Sequence, residues 1–307
     1  MHWLFLILLA ALWAPSFLII KIGLRGIPPL TLAAGRVAIA ALLLYGVIRL
    51  RGDRLPRSRE FWKKFLTMGL LANALPFSLL MIGESKASSA LAAIFNGFTP
   101  VATALIAHFA IAEERLNGRT VTGVVFGFGG ILLLFVPTMQ EGIAGNDLFI
   151  GLLCFTGVAI GYGFSIVYSR VALRGYPGFV GPTAQLLCAS LLLVPFSAVI
   201  EWKTLSLPNA ESLGALLWLA VIATAVAYIV YYYLLEIAGA TFLSLVAFLL
   251  PPIGAILGVV FLDEKLGWNA VVGCGLILLG VGFVRNVSGK DREKAFLKDR
   301  NQMESID

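Results

Sequence analysis

The sequence predicts an all-α polytopic membrane protein with ten transmembrane helices arranged as two inverted five-helix repeats. Three observations carry this expectation. The chain is 59% hydrophobic and only 13% charged, with mean hydropathy +0.93, whereas a soluble domain carries about 25% charged residues. Its apolar residues fall in runs long enough for a bilayer core, which takes about 20 residues per helix. Finally, the stretch EERLNGRTVTGVVFGFGG at 113–130 returns as DEKLGWNAVVGCGLILLG at 263–280, about 150 residues later in a chain of 307.

Spans are expected at 3–22, 30–48, 65–83, 88–111, 118–136, 148–168, 178–200, 213–235, 240–262 and 267–285. The first lacks a basic leading region and stays apolar beyond the roughly 7–15 residues of a signal-peptide core, so it reads as a retained helix. Span 2 carries Arg36, span 3 Asn73 and Phe77, and span 4 Asn96 and His108. Span 5 holds the GxxxG pair Gly123 and Gly127, and Gly273, Gly275, Gly280 and Gly282 stud span 10. Such small residues let helices approach closely. Packing within the monomer is one reading of them, and a homodimer contact through spans 5 and 10 is the other. The run GFGG at 127–130 is no dinucleotide fingerprint, because no βαβ unit surrounds it. Cys154, Cys188 and Cys274 lie inside spans 6, 7 and 10, an odd number without metal spacing, so neither a disulfide framework nor a metal site is expected. No cofactor is expected either.

The net charge of +6 is distributed as a membrane requires, and no nucleic-acid partner is inferred from it. With the N-terminus inside, Arg49, Arg51, Arg54, Arg57, Lys63, Arg115, Arg174 and the tail KDREKAFLKDR all fall in the cytoplasm. The other side keeps Lys21, Arg25, Lys86, Lys203 and Lys265. Cations concentrate on the cytoplasmic side of membrane proteins, so both termini of this inner-membrane protein are expected to be cytoplasmic. The tail then lies beside anionic lipid.

The second half can be laid on the first. Leu24-Arg25-Gly26 matches Leu173-Arg174-Gly175, and Ala87 to Pro100 matches Ala238 to Pro251. The expected division is 1–138 for the first repeat, 139–287 for the second and 288–307 for the basic tail. With five spans per half, the second repeat enters the membrane from the opposite side. Secondary transporters are commonly built this way, with the substrate near the midplane between the repeats.

The segments TPVATALIAHFAIAEERL at 99–116 and PPIGAILGVVFLDEKL at 251–266, with GRVAIAALLL at 35–44, resemble the EamA-type branch of the drug/metabolite transporter superfamily. The resemblance covers about residues 3–286. One departure is an extra residue between Pro100 and Glu114 relative to Pro251 and Glu264. The resemblance implies a transporter of small organic solutes, often an exporter of amino acids or related metabolites. It also implies a substrate cavity formed by spans 1, 3, 4, 6, 8 and 9.

Polar side chains inside a membrane are candidates for function. The repeat aligns Trp13 with Tyr162, Ser16 with Ser165, Asn73 with Thr224 and Phe77 with Tyr228. A pseudo-two-fold axis would bring such pairs to one cavity, joined by Asn96 and Ser244. Aromatic walls beside hydroxyl and amide groups suit a small amphipathic or zwitterionic solute, although helix packing is the plain alternative for any one of them. Arg36 reads either as a structural residue that snorkels to the interface or as a contact for a substrate carboxylate. His108 reads as a structural histidine, with a proton role as the alternative.

All carboxylates, Glu84 among them, are expected at span ends or in loops, which favours facilitated diffusion or exchange and leaves His108 as the fallback proton site. There is no HExxH, GxSxG or P-loop motif, so neither a membrane enzyme nor an ATP-driven pump is supported. No large soluble appendage points to a scaffold. The expected function is therefore a secondary transporter in the lipid bilayer that exports amino acids by alternating access. A nucleobase, nucleotide-sugar or drug-like cargo is the alternative.

Overall fold

The computed structural model describes residues 2–110, 118–140, 146–172, 179–204, 207–234, 246–280 and 282–283. Its helices follow the expected spans: α1 His2–Gly23, α2 Pro29–Arg51, α3 Arg59–Lys86, α4 Ser89–Ala110, α5 Gly118–Gln140, α6 Asn146–Ala172, α7 Val180–Ile200, α8 Ala210–Leu234, α9 Val246–Leu262 and α10 Trp268–Gly280. Helices α1–α4 and α6–α8 are long and apolar enough to cross a membrane, and apolar stretches of α5 and α10 are shorter. The outer surface carries large apolar side chains such as Leu42, Leu132, Leu153, Leu191 and Val260. Water would penalise that surface, whereas lipid does not.

The packing obeys the repeat. Helix α2 packs on α7, and α4 on α9, each against its own counterpart. The contact of α1 with α8 recurs as that of α6 with α3, and α4 on α6 recurs as α9 on α1. Likewise α2 meets α8 as α7 meets α3. Exchanging the halves therefore maps these contacts onto one another, as a pseudo-two-fold relation requires.

Four helices are irregular where the sequence reading expected continuous spans. Pro15 interrupts α1 between His2–Trp13 and Ser16–Gly23, because proline offers no N–H to the preceding turn. Helix α4 breaks between Ser89–Asn96 and Thr99–Ala110. There Gly97 N bonds Ile94 O at 3.0 Å and Phe98 N bonds Phe95 O at 2.9 Å, and Pro100 again lacks a donor. Helices α3 and α8 widen into π-turns at Leu70–Ala74 and Val221–Val226, which occupy equivalent places in the two repeats.

One end of the bundle is latched by side chains. The Glu264 carboxylate, between α9 and α10, accepts from Ser89 N, Ser89 Oγ and Ala90 N at 2.8 to 3.0 Å, capping α4. Glu201 beyond α7 does the same for α2, accepting from Leu30 N at 2.9 Å and Thr31 N at 2.7 Å. An acid at a helix N-terminus satisfies orphan N–H groups and the helix dipole together. Lys21 Nζ donates to the carbonyls of Glu84 and Ala87 at 2.6 and 2.7 Å, and Lys86 pairs with Asp147 at 2.6 Å. At this end α4 meets α9 through Ser89–Asn96, while Thr99–Ala110 packs on α6 and α5.

The glycines of α5 and α10 face each other within the monomer. A Cβ on Gly280 would lie 2.5 Å from Gly123 O and 2.8 Å from Gly127 N, both backbone atoms that cannot yield cheaply. Gly280→Ala is expected to cost about 1–3 kcal/mol through overpacking, read as a lower thermal unfolding midpoint of the purified protein. Gly275→Ala, with nothing within 4 Å, should leave it unchanged.

Candidate functional site: a polar centre shared by the two repeats

The π-turns carry Asn73 and Thr224, and each binds the second helix of the other repeat. Arg36 Nε on α2 donates to Thr224 Oγ1 at 2.7 Å. Gln185 Nε2 on α7 donates to Asn73 Oδ1 at 2.6 Å. Gln185 stands 149 residues after Arg36, the offset of the neighbouring repeat, so the two bonds are one contact made twice. Asn73 Nδ2 then donates to Tyr228 Oη at 2.6 Å, and Tyr232 Oη donates to Gln185 Oε1 at 3.0 Å.

The widened turn supplies a further acceptor. A π-turn breaks the regular backbone ladder, and Ala223 O takes Trp13 Nε1 at 3.1 Å and Arg36 Nη2 at 3.4 Å. Thr224 Oγ1 returns its own proton to Leu219 O at 2.8 Å. The Arg36 guanidinium lies over the Phe77 ring, 4.2 Å from its centroid, a desolvated cation–π contact. Tyr162, Tyr228 and Glu84 are the titratable groups around it, and none of the described ion pairs includes it.

Of the residues expected to line a pocket, Trp13, Asn73, Phe77, Tyr162 and Tyr228 therefore gather around Arg36. Ser16 is buried beside the α1 break and its hydroxyl has no partner, as is true of Thr99 at the α4 break. Asn96 is half-buried at that same break. Ser165 turns into its own helix and donates to Tyr162 O at 2.9 Å. Ser244 lies outside the described residues. His108 stands near the end of α4, edge-on to Phe109 with centroids 4.8 Å apart.

One expectation needs correcting, and two points add to the sequence reading. Arg36 does not snorkel: it is 3% exposed and spends its donors on α8. Glu84 lies at a span end as expected, in the last turn of α3, but packing there leaves it 0% exposed with neither carboxyl oxygen hydrogen-bonded among the described residues. Gln185 was overlooked, although its alignment with Arg36 is a signal that marks it.

A helical bundle whose halves exchange about a buried polar centre belongs to the class of polytopic membrane transporters. The chain belongs to the EamA-like transporter family, which matches it twice, over residues 1–136 and 149–286. It is similar to the uncharacterized transporter YoaV of Bacillus subtilis (strain 168), at 24% identity over 88% of this chain and 91% of that one. The uncharacterized inner membrane transporter YedA of Escherichia coli (strain K12) is 26% identical over 89% of this chain and 87% of its own. Protein PecM of Dickeya dadantii (strain 3937) is 26% identical over 86% and 88%. A crystal structure at 20% identity superposes with a TM-score of 0.65 over 92% of this chain and 96% of that one, which shows the same fold.

Removing the shared amide should be costly. Asn73→Ala strands Gln185 Nε2 and Tyr228 Oη in the interior, and an unsatisfied buried polar group costs about 1–3 kcal/mol. The thermal unfolding midpoint of the purified protein should fall accordingly.

Proposed function

We propose that this transporter exports amino acids, or metabolites with the same zwitterionic end, across the inner membrane by alternating access, with both termini cytoplasmic. The observation that supports this most is the buried Arg36 guanidinium, which contacts a hydroxyl, a carbonyl and an aromatic face but bonds no carboxylate. A buried cation is stable when paired, and a substrate carboxylate is the partner that fits, since guanidinium presents a planar fork to it. Trp13, Phe77 and Tyr162 would exclude water around the apolar side chain, while Ser16, Thr99 and Asn96 offer hydroxyl and amide groups for the ammonium end.

The repeat supports the mechanism. Each half contributes a widened third helix, and the crossed bonds tie the halves at their centre, so the ends of the bundle can open in turn while the polar centre persists. In the structure described, the end bearing Lys21, Glu201 and Glu264 is latched. The cation distribution supports placing that end on the side away from the cytoplasm.

Counterflow in proteoliposomes tests the reading. Vesicles preloaded with an apolar amino acid should exchange it for the labelled form, and the corresponding decarboxylated amine should compete poorly. Arg36→Gln should weaken exchange about tenfold or more, the equivalent of about 1.4 kcal/mol or greater. Equal competition by the amine, or exchange restricted to nucleobases, would give the cavity to a different cargo.

A further inference from the structure

We propose that Glu84 is a proton-binding site of this transporter: its carboxyl takes up a proton as the latched end closes and returns it to water as that end opens. The inference stands apart from the identity of the cargo.

The other described carboxylates at this end have partners, apart from Asp263, which is exposed. Glu264 caps α4, Glu201 caps α2, Asp147 pairs with Lys86, and Glu211 approaches Arg25 at 3.8 Å. Glu84 alone among them is enclosed without a donor to either oxygen. Lys21, the cation nearest in the fold, spends two hydrogen bonds on the main-chain carbonyls of Glu84 and Ala87 instead of on the carboxylate.

Charged groups on three other elements act on Glu84 electrostatically: Lys21 of α1, Arg36 of α2 and Glu264 of the α9–α10 segment. Helix α6 closes the wall with Cys154 and Phe155, which press on Gly83. Among the described residues no element supplies the donors that an ionised carboxylate needs once water is removed, and a buried carboxylate in that position neutralises itself by binding a proton. Its burial is a property of the closed end: Lys21, Ala87, Ser89 and Glu264 are the same groups that join α1, α3, α4 and α9–α10 there. Parting them would wet the carboxyl, and in neutral water a carboxyl ionises.

The balance is simple. Closing the end converts one carboxylate and one proton from the water on that side into a carboxylic acid, and opening reverses it. Acid therefore favours the closed end, and alkali favours the open end, by linkage. The site also reaches the polar centre. Phe77 and Glu84 are seven residues apart, two helical turns along one face of α3, and Phe77 carries the Arg36 guanidinium. With Glu84 neutral, Arg36 has no ionised carboxylate of the protein beside it, and an anionic group of the cargo meets less competition.

The test needs no substrate. Spin labels are placed at Ser85→Cys on α3, next to Glu84, and at Trp268→Cys on α10, next to the segment that carries Glu264, in a background with Cys154, Cys188 and Cys274 replaced by Ser. They report the separation of α3 from α9–α10 at this end. In lipid nanodiscs the distance distribution should be short and single at pH 5.5. A longer population should grow toward pH 8.5. Glu84→Gln should hold the short distance at both values, and Glu84→Asp should restore the response. Infrared spectra at pH 5.5 should show the C=O stretch of a protonated, buried carboxylic acid that Glu84→Gln removes, a readout that does not rely on the labels. Distances in the parent protein that ignore pH, a pH response that survives in Glu84→Gln, or no carboxylic acid band assignable to Glu84 would each overturn the proposal.

Discussion

The crossed hydrogen bonds between repeats are the contact on which the centre of this molecule depends. Arg36 reaches Thr224 and Gln185 reaches Asn73, so the second helix of each repeat is held by the third helix of the other. A transmembrane bundle gains little from burying apolar groups, since lipid is as apolar as leucine, and it relies on close packing and interhelical hydrogen bonds. Cutting the contacts at this level would leave an arginine, a glutamine and an asparagine without partners in the interior. That cost explains why four polar residues stay together, and it fixes the two halves in register about one axis.

The backbone is shaped to make those bonds. Each third helix gives up one regular turn, at Leu70–Ala74 and Val221–Val226, and the irregularity delivers Asn73, Thr224 and the Ala223 carbonyl to the same place. The breaks in α1 and α4 leave the buried hydroxyls of Ser16 and Thr99 without a hydrogen-bond partner among the described residues. Irregular backbone at membrane depth is tolerated where protein or a water-filled space satisfies it. Away from the centre, α5 and α10 approach closely through glycines, where a Cβ on Gly280 would meet Gly123 O and one on Gly130 would meet Gly273 O.

Much of this was legible in the residues. The recurrence of EERL as DEKL and the alignments of Asn73 with Thr224 and Phe77 with Tyr228 led to the architecture and to five of the residues around Arg36. The misses have a physical cause. Hydropathy sets where a helix crosses but not what packs on its last turn, and Glu84 stands at the expected span end yet is buried there by tertiary packing. Arg36 has the length to snorkel, and only the position of α8 shows that it turns inward. Gln185 is one polar residue in an apolar run; its role appears once α7 is seen against α3. The π-turn in α3 precedes Pro76, but α8 has no proline to signal its counterpart.

On the proposed account the polar centre faces water from each side of the membrane in turn. The most direct measurement is the reactivity of a single cysteine at the α4 break, Asn96→Cys, in the cysteine-free background and in oriented vesicles. A membrane-impermeant maleimide should label it from the cytoplasmic side, and in a separate sample from the opposite side, each to near completion given time. Labelling from one side alone, however long the exposure, would contradict alternating access and leave the centre a fixed structural core.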